Sequence, residues 1–171
     1  MSATPWTESH RFDHSARLMA DRHYNRQKIG TPQFVPPGRC MVLKAPEALW
    51  VTSWPFAEFT RHAWAGAWVN SCFRREGGDL LASDMIRLAV AHTRWKWPDV
   101  PDLGMITFVD AGKVRHKRDP GRCYTHAGFR RVGFTKGGLV ALQLLPDDMP
   151  EPMAPLGAAL SLFDNDEGDV T

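Results

Sequence analysis

Two short stretches of this 171-residue chain carry side chains that can move protons. His23-Tyr24 ends a segment whose apolar residues recur at helical spacing, and Tyr124 stands four residues before a Gly-Phe pair. An imidazole titrates near neutral pH and can act as a general base or a metal ligand. A tyrosine hydroxyl can act as a general acid or donate to a developing oxyanion. The structural alternatives are a histidine favoured by the helix dipole and an amphipathic tyrosine of the core.

A carboxylate ends the predicted strand GMITFVD at Asp110. The carboxyl end of a parallel strand faces the crevice in which ligands bind. There Asp110 would accept a proton from an attacking amine, orient His23 or ligate a metal. The alternative is a turn residue before Ala111-Gly112, because Asp favours turns. If His23, Tyr24 and Asp110 converge they form a metal site, although their spacing alone does not require one.

Basic residues are concentrated after Asp110. Residues 1–136 hold all 21 Lys and Arg and carry a net charge of +9, whereas residues 137–171 carry −7. Spaced cations suit contacts with phosphates, which give affinity but do not read sequence. The alternative is a solvated basic surface. The predicted nucleic-acid contacts are Lys113, Arg115, Lys117, Arg118, Arg122, Arg130 and Arg131.

Strands and helices must position these groups. Hydrophobic periodicity, turn residues and capping residues define their bounds. The predicted elements are helix 6–28, strands 39–45, 48–54 and 64–74, a helix capped by Asp79 that runs to 97, strand 104–110, a short helix at Tyr124 and strand 137–145. Antiparallel strands followed by a βαβ-like half indicate an α+β sheet.

Length and composition fit one domain, predicted over residues 1–146 and followed by an acidic, largely disordered tail at 147–171. Three widely spaced cysteines without a CxxC motif indicate reduced thiols and a cytoplasmic location. No apolar run reaches the roughly 18 residues of a membrane span. The N-terminus lacks the basic-then-apolar order of a signal peptide. We therefore expect no membrane partner; the oligomeric state is not indicated.

The order of these elements resembles the GNAT acyltransferase fold, most specifically at YTHAGFRRVG, residues 124–133. Members of that superfamily often carry a Tyr four residues before a Gly-Phe pair in the helix after the fifth strand, as Tyr124, Gly128 and Phe129 do here. The resemblance implies a single α+β domain with a GNAT-like central mixed sheet flanked by helices. It also implies that Tyr124 protonates the leaving thiolate of coenzyme A.

The loop before the long helix departs from the GNAT pattern. GNAT enzymes usually hold the pyrophosphate of acyl-CoA in a QxxGxG or RxxGxA loop, through backbone N–H groups and the helix N-terminus. Here that place reads RREGGDLLAS, in which the glycine spacing differs and Asp79 adds a negative charge. The candidate contacts to a cofactor or donor are Arg74, Arg75, Gly77 and Gly78, with Asn70 and Ser71 near the end of the third strand.

A narrower resemblance is to the Mom-like branch of the superfamily, bacteriophage proteins that modify the exocyclic amine of adenine in DNA and lack a clear CoA loop. It is carried by His23-Tyr24, Asp110 and Tyr124. The resemblance implies that these positions are functional, with iron suggested for some members. It also implies a DNA partner, a small-molecule donor that is acyl-CoA or another acyl donor, and action in the host cytoplasm.

The expected function is therefore a phage-type DNA-modifying transferase that adds a small acyl-derived group to the exocyclic amine of a base, with adenine as the expected base. The alternatives are an acyl-CoA N-acyltransferase acting on a small amine or protein, and a non-catalytic nucleic-acid-binding protein. An enzyme acting on a base in a duplex must extrude that base, and Trp54 is the candidate for stacking on it. His92, on the apolar face of the long helix, is expected to be a core histidine.

Overall fold

A seven-stranded mixed sheet organises the chain in a computed structural model that describes residues 3–23, 29–31, 33–112 and 121–158. The elements in these ranges are β1 (Thr7–Glu8), α1 (His14–Asp21), β2 (Arg39–Ala45), β3 (Ala48–Trp54), β4 (Trp68–Arg75), α2 (Ala82–Lys96), β5 (Met105–Val109), α3 (Arg122–His126), β6 (Arg130–Phe134) and β7 (Val140–Leu144). The strand order is β1-β2-β3-β4-β5-β7-β6. The predicted α+β class and single domain are confirmed over the described residues.

Both faces of the sheet are covered, so β3 is buried at six of its seven residues. One face packs Trp50 and Leu142 against Ile86 of α2, and the other packs Leu49 and Val51 against α1. A strand covered on both faces reads as a continuous apolar run, which is why ALWVTSW was recognisable in the sequence. Burying one such large apolar side chain contributes about 1.5–3 kcal/mol.

The N-terminal segment is not one helix over 6–28 as predicted. Residues 7 and 8 form β1 against β2, and α1 begins only at His14. Asp13 defines that start, because its side chain accepts a hydrogen bond from the Ala16 N–H at 3.0 Å. Burial raises the pKa of Asp13, but hydrogen bonds from Ser9, Ala16, Lys44 and Ser15 outweigh it and hold the pKa well below its ordinary value.

Two other element starts differ from the prediction, and one strand was not predicted. β4 begins at Trp68 rather than at 64, and α2 begins at Ala82 rather than at Asp79, with Leu81 at the N-cap position. The sequence analysis missed β6, since RRVGF is largely exposed and shows no apolar alternation. Pairing with β7 makes this segment a strand, and that pairing cannot be read from local periodicity.

The segment predicted to begin a disordered tail packs along α2 as far as residue 156. Arg94 donates to the Pro150 carbonyl at 2.8 Å, and the Leu156 N–H donates to the Trp6 carbonyl at 2.9 Å. His92 is fully buried, as predicted, and donates from Nδ1 to the Met153 carbonyl at 2.7 Å. Residues 159–171 lie outside the described ranges. No helix in those ranges is long and apolar enough to cross a membrane.

Candidate functional site

A cleft opens where two parallel strands separate. β4 and β5 pair only through residues 68–70 and 105–107, yet β4 continues to Arg75 and β5 to Val109. A cavity of about 230 Å³ lies between their carboxyl ends. We call it the β4–β5 cleft. Its polar lining residues are His23, Asn70, Ser71, Arg75, Thr107 and Tyr124. Ligands in sheets with parallel strands bind at such carboxyl ends.

A β-bulge in β4 accompanies this separation. Val51 of β3 pairs with Cys72, whereas the next residue, Thr52, pairs with Asn70. Ser71 is therefore an extra residue in β4, and its hydroxyl lies 3.3 Å from that of Ser53. An extra residue bends its strand and increases the local twist. The bulge thus explains why β4 leaves β5 after Asn70.

The side chain of Asn70 joins four elements beside the bulge. Its Nδ2 donates to the carbonyls of Val51, at 3.1 Å, and Cys72, at 2.9 Å. Its Oδ1 accepts from the Tyr124 hydroxyl at 2.6 Å and from the Thr107 hydroxyl at 3.2 Å. Because both carbonyls need a donor, the amide can take only this orientation. Asn70 is 4% exposed, so these bonds are made in the interior.

Tyr124 reaches the cleft from the first turn of α3. Gly121, with a φ of +84°, precedes that turn, and the ring of Tyr124 packs 5.3 Å from that of Phe129 and 6.3 Å from that of Phe73. The residue is buried, and its hydroxyl proton is directed at Asn70. A phenol has one proton to donate. Proton transfer from Tyr124 to a leaving group therefore requires the bond to Asn70 to open.

His23 lines the same cleft from the end of α1. Its Nε2 lies 3.1 Å from the carbonyl oxygen of Phe73. A carbonyl only accepts, so Nε2 carries a hydrogen and, in the neutral ring, Nδ1 carries the lone pair. His23 and Tyr124, predicted from separate motifs 101 positions apart in the sequence, thus share one cavity.

A cluster of charges holds the end of α1 against β4. Arg22 donates to the two carboxylate oxygens of Glu76 at 2.7 and 2.6 Å, and Arg74 donates to the same carboxylate at 2.8 Å. Arg74 also donates to the Arg22 carbonyl at 2.6 Å. The hydrogen bonds from Arg22 and then Arg74 lower the pKa of Glu76 to about 2. The cluster therefore fixes the residue directly before His23.

The six predicted donor contacts do not lie together. Asn70, Ser71 and Arg75 line the cleft, whereas Arg74 is engaged by Glu76. Gly77 and Gly78 line a different pocket, next to Glu47. A Cβ added at Gly77 would lie 2.5 Å from a carboxylate oxygen of Glu47, and that negative charge disfavours a phosphate there.

Asp110 lies in the turn after β5, where its Oδ1 accepts from the Gly112 N–H at 3.0 Å. It is not among the residues that line the cleft. Tyr24, the other residue of the predicted metal site, lies outside the described ranges. Within those ranges, no three His, Cys, Asp or Glu side chains come together as ligands of a metal ion. The predicted metal site therefore stays a prediction, since Tyr24 is not described.

Most of the predicted nucleic-acid contacts also lie outside the described ranges. These are Lys113, Arg115, Lys117 and Arg118. The segment that holds them runs from Gly112, after β5, to Gly121, which lines the cleft. Arg122 is exposed on α3, and Arg130 and Arg131 are exposed on the edge strand β6. The Arg130 guanidinium lies 4.0 Å from the Asp148 carboxylate.

The sequence analysis missed several residues of the cleft. Thr107 contacts Asn70, and Cys72, Phe108 and Cys123 form part of the wall. One signal was present for Thr107, because a polar residue in the middle of the apolar strand MITFV needs a hydrogen-bonding partner. The two cysteines and Phe108 carried no such signal, since they read as ordinary core residues.

Comparisons of the chain with protein-family models, with curated proteins and with solved structures found no match. The geometry and chemistry of the cleft are therefore the basis for inferring a function.

Proposed function

We propose that this protein is a transferase that moves a small acyl-derived group onto the exocyclic amine of a base in DNA, with adenine as the expected base. The observation that carries the proposal is the meeting of His23 and Tyr124 in one cleft between diverging parallel strands. A base that takes the amine proton and an acid that protonates the leaving group both assist transfer to an amine. The strand order and the place of Tyr124 after β5 agree with the resemblance to the GNAT acyltransferases.

The donor would lie between β4 and β5. Beyond Asn70 and Thr107 the two strands no longer pair with each other, so an extended donor has room to lie along their edges. The cavity volume of about 230 Å³ suits the reactive end of a donor together with one amine, rather than two complete substrates.

The transfer involves two proton movements, one from the amine to His23 and one from Tyr124 to the leaving group. The amine nitrogen forms a bond to the acyl carbon and gives its proton to the His23 imidazole. The bond from the acyl carbon to the leaving group breaks, and the Tyr124 hydroxyl protonates that group after leaving Asn70. The phenolate then takes up a proton from solvent as His23 releases one, and the Tyr124 hydroxyl donates again to Asn70, whose amide is fixed by the carbonyls of Val51 and Cys72.

DNA as the acceptor is supported by charge. Residues 1–136 carry +9, and the cluster of cations at 113–122 ends at Gly121 and Arg122, beside the cleft. Phosphate contacts of this kind make binding depend strongly on salt. The segment 113–120 is thus proposed to hold the sugar–phosphate backbone while the base enters the cleft.

The test is the mass of the modified base. DNA from cells that express the protein is digested to nucleosides, and the mass of each nucleoside is measured. We expect a heavier deoxyadenosine with the parent protein and none with Tyr124→Phe or His23→Gln. His14→Gln is the matched control, because His14 is an exposed histidine at the opposite end of α1 and should leave the product unchanged. Unmodified nucleosides from the folded parent protein would refute the proposal.

A second candidate is an acyl-CoA N-acyltransferase acting on a small amine or a protein, and the position of Arg75 favours it. Arg75 is a cation of the cleft wall and is exposed, so a phosphate-bearing donor would find a partner there. Calorimetry with acetyl-CoA tests this candidate. Binding should weaken in Arg75→Gln but not in Lys136→Gln, a change of an exposed cation in the β6–β7 turn. No heat of binding with the parent protein would reject it.

A further inference from the structure

We infer that an aromatic surface beside the cleft stacks on unpaired nucleobases, so that DNA is received as a single strand or with its base extruded. The surface consists of Phe56, Phe59, His62, Trp64 and Phe108. The inference rests on the proposed function for its choice of DNA, and it names the form of DNA that the site accepts.

The inner part of this surface is continuous with the cleft. Phe108 lines the cavity, and its ring centroid lies 5.1 Å from that of His62 and 6.0 Å from that of Trp64. The His62 and Trp64 rings lie 6.1 Å apart. All three residues are half-buried, so one side of the cluster is packed and the other is accessible. A base that leaves the cleft past Phe108 would meet these rings.

The outer part is more exposed. Phe56 and Phe59 are 55% and 78% exposed, and their rings form a T-shaped pair with centroids 6.3 Å apart. Both lie in the connection between β3 and β4, which also carries His62 and Trp64. Large exposed apolar side chains that lie next to one another mark an interaction surface. Phe59 is three residues from His62 in the chain, so the pair is carried by the same connection that meets the cleft wall.

The chemistry of the occupant follows from the rings and from the charge around them. Every base has a π face, and aromatic side chains bind bases without reading sequence. The connection 55–67 holds one acid and one cation, Glu58 and Arg61, so it is neutral. Stacking rather than charge would therefore supply its affinity, while the cations at the cleft supply contacts with phosphate.

Trp54, the stacking residue expected from the sequence, is packed against neighbouring side chains and has no open ring face for a base. The Arg39 guanidinium lies 3.9 Å from its ring centroid, and the Trp97 and Trp68 rings lie 5.4 and 5.8 Å away. The aromatic surface takes over the role that was predicted for Trp54. An adenine amine in duplex DNA lies within a paired and stacked base, so extrusion costs free energy that stacking on these rings would offset.

Fluorescence anisotropy with a labelled deoxyadenosine oligonucleotide, and with its duplex, tests the inference. We expect the parent protein to bind the single strand more tightly than the duplex. Phe56→Ala combined with Phe59→Ala should weaken binding of the single strand by about tenfold. The slope of affinity against salt concentration should not change, because no charge is removed. Phe59→Tyr in the Phe56→Ala background keeps one ring and should restore part of the affinity.

Phe12→Ala is the matched control, because Phe12 is 79% exposed but lines a different pocket. Thermal melting confirms that each variant is folded. An equal loss in the control, unchanged binding in the double variant, or a double variant that changes the oligomeric state instead would overturn the inference. The last outcome would assign the surface to a second copy of the chain.

The two proposals fail separately. If the double variant loses single-strand binding but the parent protein gives no modified nucleoside, the aromatic surface is supported and the transferase activity is refuted. If the parent protein gives a modified nucleoside and the double variant binds DNA as the parent does, the transferase activity is supported and the role of the surface is refuted.

Discussion

Asn70 shows how one buried amide can support both the fold and the site. Its donors bond to carbonyls beside the bulge, and its acceptor receives the hydroxyls of Tyr124 and Thr107. Each buried polar group that loses its partner costs free energy, so the whole set depends on this residue. Tyr124, in contrast, contributes to this set through the hydrogen bond from its hydroxyl to Asn70.

The first prediction separates these two roles by urea unfolding. Asn70→Ala should lower the free energy of unfolding by about 3 kcal/mol, because it leaves several buried groups unpaired. Tyr124→Phe removes one hydroxyl, and Thr107 still donates to Asn70, so its cost should be about 1 kcal/mol. Similar costs for the two variants would show that Asn70 is not the centre of the network.

The second prediction concerns His92. Burial lowers its pKa from the ordinary value of 6.5, although the bond to the Met153 carbonyl opposes that shift. With Nδ1 donating to Met153, Nε2 accepts from the Thr4 hydroxyl at 2.6 Å, which requires a neutral ring. The unfolded chain takes up a proton near pH 6.5 while the folded chain does not. Stability is therefore present above that pH and is lost as pH falls through the lower folded pKa.

We expect the melting temperature of the parent protein to fall between pH 7 and pH 5, and to fall less in His92→Gln. Glutamine can replace both hydrogen bonds but does not titrate. His62, whose pKa is also lowered by burial, contributes in the same direction and remains in both proteins. The acids with lowered pKa, such as Glu76, lose their contribution below about pH 4.5, outside this window. Identical pH profiles would contradict the assignment.

At the scale of elements, the cleft depends on how β4 and α1 are joined. The bulge at Ser71 turns β4 away from β5, and Glu76, directly after β4, binds Arg22, directly after α1. The position of His23 therefore follows from two contacts distant from it in the sequence. Directly before β5 the backbone also packs closely on β7. A Cβ at Gly104 would lie 2.0 Å from the Leu144 carbonyl oxygen, so a side chain there would collide with β7.

The third prediction tests the contact between α1 and β4. Glu76→Gln should lower the free energy of unfolding by only about 1 kcal/mol, because the ion pairs of Glu76 are partly exposed to solvent. It should slow the proposed base modification by about tenfold or more, since small displacements of a catalytic base are costly. Lys44→Gln breaks the Lys44–Asp13 ion pair at the other end of α1 and is the control. Rates from the two variants that fall equally would show that the cluster does not position His23.

At the scale of the whole molecule, the segment 149–156 is hydrogen-bonded both to α2 and to the N-terminal segment. It receives hydrogen bonds from His92 and Arg94, and its Leu156 N–H donates to Trp6. Trp6 is fully buried and donates from its indole to the Met85 carbonyl at 2.9 Å. The boundary predicted at residue 146 thus falls inside the packed structure.

The fourth prediction compares two truncations. A chain ending at Ala158 loses four acidic residues and no basic residue, so its net charge rises from +2 to +6. It should melt at the temperature of the full chain and bind DNA more tightly at low salt. A chain ending at Leu145 leaves His92 and Arg94 without their carbonyl partners and should melt at a lower temperature. Equal melting of the two truncated chains would contradict the role of 149–156.

Local patterns were enough to find most of the elements. The hairpin of β2 and β3, the long helix and the strand before Asp110 have continuous apolar runs or helical periodicity, which depend on neighbouring residues. Motif positions and the resemblance, rather than periodicity, led to the prediction of His23, Tyr124, Asn70, Ser71 and Arg75 as site residues, and all five line the cleft. Local patterns failed for β6, because an exposed edge strand is defined by its partner, and for residues 149–156, whose order comes from packing on α2.

The residue types and spacings around His23 and Tyr124 by themselves determined which groups can move protons, and their motifs indicated a transferase. Only the tertiary structure decided that these two share a cleft, that Asp110 lies in a turn outside it and that Gly77 and Gly78 belong to another pocket. The physical reason is that a bulge, a parallel strand pair and a salt-bridged helix end act between residues far apart in the chain. No short window of sequence contains all the partners of such contacts.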